Sequence, residues 1–107
     1  MTFEQGTIIA FNFSPAEGHE QAGYRPALVV SKTILNKRTG QAIVCPITSK
    51  EKPYATRIAL DETTKTQGFV ICEHLKTIDT YARNVKVVEC VSTEILDKVL
   101  EMVKMFF

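Results

Sequence analysis

Arg25 stands between a polar, glycine-punctuated segment, Gly18-His19-Glu20-Gln21-Ala22-Gly23-Tyr24, and an apolar run that follows Pro26, Ala27-Leu28-Val29-Val30. Its guanidinium is planar, permanently charged and carries five donors, which suits a phosphate better than any other side chain does. Glu20, Gln21 and Arg25 fall within six residues, so one loop can present a carboxylate, an amide and a guanidinium to a shared space. His19 adds an imidazole, the natural proton carrier if this loop lines a pocket. The same residues also fit a solvated surface ion pair, which contributes little to stability, and a lone loop histidine is more often solvated than catalytic.

Two further groups lie at strand ends. Pro46-Ile47-Thr48-Ser49 closes an apolar run with two hydroxyls, which can donate to phosphate oxygens or simply cap their own turn. No histidine–aspartate pairing of recognised spacing accompanies them, so a serine hydrolase is not indicated. Glu73 and His74 follow a second apolar run ending at Cys72, with Lys76, Asp79 and Arg83 shortly after. This cluster fits acid–base or binding work, and equally an edge-strand salt-bridge network. Two histidines and scattered carboxylates are too sparse for zinc, so neither a metal nor a cofactor is expected. Lys32, Lys37, Arg38, Lys50, Lys52 and Arg57 gather around the same loops, and Tyr54 offers an aromatic face among them. Single-stranded RNA binders use that mixture, cations tracking the backbone while aromatic faces stack bases; a solvated lysine-rich loop has the same composition.

These groups need strands to hold them. The chain of 107 residues, 45% hydrophobic and 23% charged, has the size and composition of one globular domain spanning 1–107. Thirteen basic against twelve acidic residues give a net charge of +1, so any phosphate binding must come from a local patch. Cys45, Cys72 and Cys90 lack CxxC spacing and lie in apolar runs, which reads as reduced, buried thiols in a cytoplasm. Neither a basic-then-apolar leader nor a bilayer-length apolar run is present, so a cytoplasmic protein without a membrane segment is expected.

Strands are predicted over 7–13, 27–30, 41–47, 55–60, 68–72 and 86–91 from apolar alternation or short β-branched runs bounded by turn residues. Lys32 to Gly40 reads as a turn-rich connection with room for a short helical turn, and Asp61 to Gln67 as an exposed, solvent-reaching loop. Ser92 can cap a C-terminal helix whose apolar positions Ile95, Leu96, Val99, Leu100 and Val103 recur at helical spacing. Short strands without interleaved long helices exclude a doubly wound sheet. They favour a mainly β fold, a small bent sheet or partial barrel with a C-terminal helix, part of whose apolar surface can meet a second subunit.

In order along the chain, Gly6-Thr7-Ile8-Ile9, Phe13-Ser14-Pro15, the run from Gly18 to Ser31, Asn36, Pro46-Ile47-Thr48-Ser49, and Leu75-Lys76-Thr77-Ile78-Asp79 with Arg83 resemble the MazF/PemK family of toxins from toxin–antitoxin pairs. The resemblance covers nearly the whole chain. It implies an SH3-like small barrel, a homodimer, a cognate antitoxin, and a ribosome-independent endoribonuclease cutting single-stranded mRNA at short sequences by metal-free attack of the ribose 2′-hydroxyl. It also implies roles: Arg25 stabilises charge at the scissile phosphate, Thr48 donates to a phosphate oxygen with Ser49 beside it, and Glu20 is the general base, with His19 competing. His19, Gln21, Ser49, Glu73, His74, Lys50, Tyr54 and Lys76 form the wider set of catalytic or RNA-binding candidates. Three departures from the family pattern stand out: Thr7 replaces an acidic residue, Glu73-His74 an aspartate–glutamine pair, and Ile71 an arginine found in some PemK-type members. A similar barrel occurs in CcdB-type toxins that bind DNA gyrase without cleaving RNA. Those rely on a tryptophan-bearing C-terminal helix end, whereas this chain has no tryptophan and ends Met105-Phe106-Phe107.

Overall fold

The computed structural model describes residues 3–12, 24–50 and 54–107. In chain order these form β1 (Thr7–Asn12), β2 (Tyr24–Val29), α1 (Thr33–Thr39), β3 (Gln41–Thr48), β4 (Arg57–Ala59), β5 (Phe69–Ile71), β6 (Lys76–Asp79), β7 (Lys86–Cys90) and α2 (Thr93–Lys104). All ladders are antiparallel and run in the order β4-β5-β3-β2-β1-β7, with β6 also pairing β3. The strands at the two ends of this path, β4 and β7, are not paired with one another among the described residues, so the sheet is open rather than closed into a barrel. No helix among the described residues is long and apolar enough to cross a membrane.

β3 organises the sheet. One edge pairs β2, while the other pairs β6 along 41–44 and β5 along 47–48. The change of partner falls at Cys45 and Pro46; a proline has no N–H with which to continue a ladder. Both faces of the central strands are buried, which is why they read as continuous apolar runs rather than alternating ones. Ile8, Leu28, Cys45, Ile47, Val70 and Cys72 pack with Ile95 and Val99 of α2 on one side. Phe3, Ile9, Phe11, Ala27, Val29, Ala42, Val44 and Ile78 pack on the other. α2 begins as its sequence requires: the Ser92 hydroxyl accepts from the Ile95 N–H at 3.2 Å, and Ile95 and Val99, one turn apart, are its buried positions.

Four elements differ from the sequence-based expectation. Arg25 lies inside β2, which begins at Tyr24, not at a loop–strand junction. The segment 33–39 is a full helix, α1, organised around a buried polar residue: Asn36 donates to the Phe3 carbonyl at 2.6 Å and accepts from the Ser31 hydroxyl. β6 arises within the polar cluster after Cys72, where only Ile78 is buried. The 61–67 loop does not reach freely into solvent, because the Glu89 carboxylate on β7 accepts from the Lys65 N–H at 3.1 Å and from the Thr66 N–H at 2.8 Å and hydroxyl at 2.7 Å. Cys90 is exposed, contrary to its apolar context, because β7 is an outer strand of the sheet whose Val87 and Val88 are exposed too.

Candidate active site

The β2–β3 ladder pairs Ala27 with Pro46, Leu28 with Cys45 and Val29 with Val44. Continued two residues towards the end of β3, the same register sets Arg25 opposite Thr48. Both residues line one open cleft of about 550 Å³. Ser49, Lys50, Gln67 and His74 supply its other polar groups, and Pro26, Pro46, Ile47 and Ile71 its apolar lining. Among these residues there are two permanent cations, one imidazole and no carboxylate, an arrangement that attracts an anion. Ile71 contributes only apolar surface at the position where the resemblance raised an alternative arginine, leaving Arg25 as the guanidinium of the described lining.

Thr48 combines the two roles its sequence context allows. Its Oγ1 accepts from the Lys50 N–H at 3.1 Å, which caps the turn leaving β3. That bond uses an oxygen lone pair and leaves the hydroxyl proton to be donated outward. The backbone at Thr48 is held from the opposite side by Gly68. There φ is +127°, and a Cβ would lie 2.2 Å from the Thr48 carbonyl oxygen, so only glycine permits this approach of β5 to β3. Gln67, immediately before it, is carried into the cleft by the loop that Glu89 ties down. Reading the sequence for catalytic residue types missed both Gln67 and Gly68; the available signal was a glycine opening a strand, which marks a close backbone approach.

The second cluster divides. His74 lines the cleft, and its N–H donates to the Ile71 carbonyl at 3.2 Å in the turn after β5. Glu73 is not part of the cleft lining. Its carboxylate accepts from the Thr56 hydroxyl at 2.7 Å and lies 3.6 Å from the Arg57 Nε. Burial acts to raise this carboxyl, but the Thr56 hydrogen bond, its own backbone N–H and the Arg57 and His74 charges outweigh it and hold the group below the usual carboxylate range. Arg57 in turn lies over the Tyr54 ring, 4.7 Å from its centroid, so one face of that aromatic is occupied by the protein's own cation. Tyr54, Arg57 and Glu73 thus form a brace at the start of β4, with Tyr54 still exposed. Lys76 lies on β6 opposite Val44, outside the cleft lining. Arg83 donates to the Asn12 carbonyl at 2.9 Å and secures the end of β1. His19, Glu20 and Gln21 lie outside the described residues.

A model of the PemK-like, MazF-like toxins of type II toxin–antitoxin systems matches residues 4–107. The chain is 37% identical over 101 residues to the endoribonuclease PemK of Escherichia coli, an alignment covering 91% of this chain and 76% of that protein. It is 34% identical over 80 residues to the endoribonuclease toxin MazF of Escherichia coli strain K12, covering 75% of this chain and 71% of that one. Its structure superposes on a chain of the MazE–MazF crystal structure from Deinococcus radiodurans with a TM-score of 0.90 at 30% identity, covering 99% and 96% of the two chains. An antiparallel sheet backed by a C-terminal helix, a cationic cleft at the end of β3 and a match extending over residues 4–107 agree: the chain belongs to the PemK-like, MazF-like family of type II toxin–antitoxin toxins.

Proposed function

We propose that this protein is an endoribonuclease toxin that cleaves single-stranded mRNA, and that Arg25 and Thr48 grip the scissile phosphodiester. The observation that carries the reading is their convergence on one cleft, opposite each other in the continued β2–β3 register. The ribose 2′-hydroxyl attacks the adjacent phosphorus, the bond to the 5′-oxygen breaks, and the products are a 2′,3′-cyclic phosphate and a 5′-hydroxyl. The substrate supplies its nucleophile, so the protein must take one proton, return another and neutralise charge growing on the non-bridging oxygens. Arg25 neutralises that charge with paired donors and Thr48 adds a third through its free hydroxyl proton. Glu20 takes the 2′-hydroxyl proton, with His19 as the competing base, and His74, which lines the cleft, donates a proton to the leaving oxygen. Lys50 and Ser49 hold flanking phosphates, and Gln67, a neutral amide with both donor and acceptor, suits a base edge.

A cognate antitoxin that covers this cleft, action in the cytoplasm and a homodimer complete the reading. The exposed Met105 and Phe107 after α2 and the exposed Val87 and Val88 of β7 are apolar surface available to a second copy. The gyrase-binding alternative is not favoured, since the relatives described above are named endoribonucleases. The test is digestion of a defined single-stranded RNA in excess EDTA with end mapping. Wild type should leave cyclic-phosphate and 5′-hydroxyl ends, and Arg25→Lys should lose at least ~10²-fold in rate with an unchanged melt, because a point charge cannot reproduce the paired contact. Intact RNA together with inhibited DNA supercoiling would overturn the reading, and an unimpaired Arg25→Lys would remove Arg25 from it.

A further inference from the structure

The β3–β5 ladder pairs Ile47 with Val70 and Thr48 with Phe69. Continued two residues back along β3 from Ile47 and two onward from Val70, to the residue just after β5, the same register brings Cys45 opposite Cys72. Both are fully buried in the same core cluster, near enough that each influences the other's ionisation, and the Cys72 thiol donates to the Val70 carbonyl at 3.8 Å. Residues directly opposite in an antiparallel pair have Cα atoms about 4.5–5.5 Å apart, within the roughly 4.4–6.8 Å that a disulfide spans. Nothing in the proposed RNA chemistry uses either sulfur. The third cysteine, Cys90, is exposed on β7 with its Sγ 3.8 Å from the Thr7 hydroxyl, remote from this pair in the sheet order.

We propose that Cys45 and Cys72 are a redox-active dithiol, oxidised reversibly by hydrogen peroxide to an intrachain disulfide that staples β3 to β5. The interaction with Cys72, then burial and the neighbouring Cys72 and Glu73 charges, push the Cys45 thiol up. Cys72, which directly follows the three-residue β5, is the thiol that local opening frees, and once deprotonated it acts as the nucleophile. Its sulfur attacks one peroxide oxygen, the O–O bond breaks, and Cys72 becomes a sulfenic acid as one water leaves. Cys45 then attacks the Cys72 sulfur, loses its proton and expels a second water. Two thiols have given up two electrons and two protons to one peroxide, and a dithiol reductant reverses the bond. Hydrogen peroxide is nearly water-sized, and β5 has only three residues, so local opening exposes Cys72 at less cost than global unfolding. The bond closes the chain from Cys45 to Cys72 into a loop containing β4, Gln67 and Gly68, and ties together the strands that carry Thr48 and lead to His74.

The test uses the full chain carrying Cys90→Ser, which removes the exposed thiol and lies outside the cleft lining. After treatment of the folded protein with dilute hydrogen peroxide, the expected result is an intact mass lower by two hydrogens, a linked peptide pair containing Cys45 and Cys72, and complete reversal by dithiothreitol. The oxidised form should melt roughly 10 °C higher, since closing the loop restricts the unfolded chain at a spacing the folded strands already have. Addition of oxygen without the linked pair, no reaction under native conditions, or a linkage that forms only in denaturant would overturn the proposal. A linked form with a lower Tm would overturn the unstrained spacing. These readouts are independent of RNA cleavage, so they stand or fall apart from the ribonuclease reading.

Discussion

Gly68→Ala tests whether the backbone placement of Thr48 governs catalysis. The added methyl would lie 2.2 Å from the Thr48 carbonyl oxygen, 2.9 Å from its carbonyl carbon and 3.3 Å from the Ser49 Cα, all backbone atoms that no rotamer change can move aside. Ordinary contact needs the first distance to grow by about 1 Å, so either β5 retreats or the end of β3 swings away from Arg25. A misplacement of about 1 Å at a catalytic group costs on the order of 10²-fold in rate, about 2.7 kcal/mol of transition-state stabilisation. Holding a non-glycine residue at φ +127° destabilises the fold by a further ~1–3 kcal/mol, which a domain of ordinary stability withstands. The assay is single-turnover cleavage of a defined RNA well below both melting temperatures, run as a cycle with Thr48→Ala. Thr48→Ala alone removes one donor to developing charge and should also slow cleavage by about 10²-fold. If Gly68 acts through Thr48, adding Gly68→Ala to Thr48→Ala costs little more, because the group being misplaced is already gone. Full additivity of the two losses, or a Gly68→Ala protein that cleaves at the wild-type rate, would refute the positioning argument.

Two further outcomes follow from polar groups away from the cleft. Asn36→Ala should lower stability by ~2–4 kcal/mol, read as the shift of a urea midpoint, because it leaves the buried Phe3 carbonyl and the Ser31 hydroxyl without their partner; a shift under ~0.5 kcal/mol would show that water replaces the amide. Glu73 has a depressed carboxyl in the fold, so its contribution is complete above the unfolded value of about 4.3 and is lost as pH falls through the lower folded value. Glu73→Gln should therefore be less stable than wild type near neutral pH and approach it as the pH falls below the ordinary carboxylate range, and a difference that does not change with pH would contradict the ionic part of the brace.

What the sequence made legible was whatever local chemistry decides. The Ser92 cap with Ile95 and Val99 one turn apart specifies α2 without reference to the rest of the molecule. The β-branched and apolar runs specify β1, β2 and β3 because burial on both faces demands them. Arg25 and Thr48 stood out as charged and hydroxyl groups at the ends of such runs. What stayed hidden depends on partners distant in the chain. The 61–67 loop has the composition of a solvated segment, and only the Glu89 carboxylate, more than twenty residues on, turns it into a support for Gln67. The contacts of Glu73 with Thr56 and Arg57, well before it in the chain, are likewise set by the fold and not by local sequence. Cys90 reads as buried because it lies in an apolar run, yet the strand order leaves β7, with Val87 and Val88, on the outside. β6 is too short, and buries too little, to leave a pattern of its own.

The register of β2 against β3 is the physical link between the fold and the site, and it is fixed far from the cleft. Because both faces of these strands are buried, a slip of one residue would still leave apolar groups in apolar surroundings, so alternation alone does not forbid it. Hydrogen bonds do. At the far end of the ladder the Val30 N–H donates to the Ile43 carbonyl at 2.9 Å, and the Ile43 N–H donates to the Ser31 hydroxyl at 2.9 Å. That hydroxyl in turn donates to the Asn36 carboxamide, which donates to the Ser31 and Phe3 carbonyls. A slip would strand these buried groups at a cost of ~1–3 kcal/mol each, a penalty that apolar packing cannot offset. Five residues along β2, roughly 17 Å at strand rise, the same register sets Arg25 across from Thr48. The Ser31–Asn36 clamp therefore reaches the cleft through the stiffness of a single pair of strands, and α1, which supplies Asn36 while contributing nothing to the cleft lining, belongs to the machinery that sets the guanidinium and the hydroxyl in one cleft.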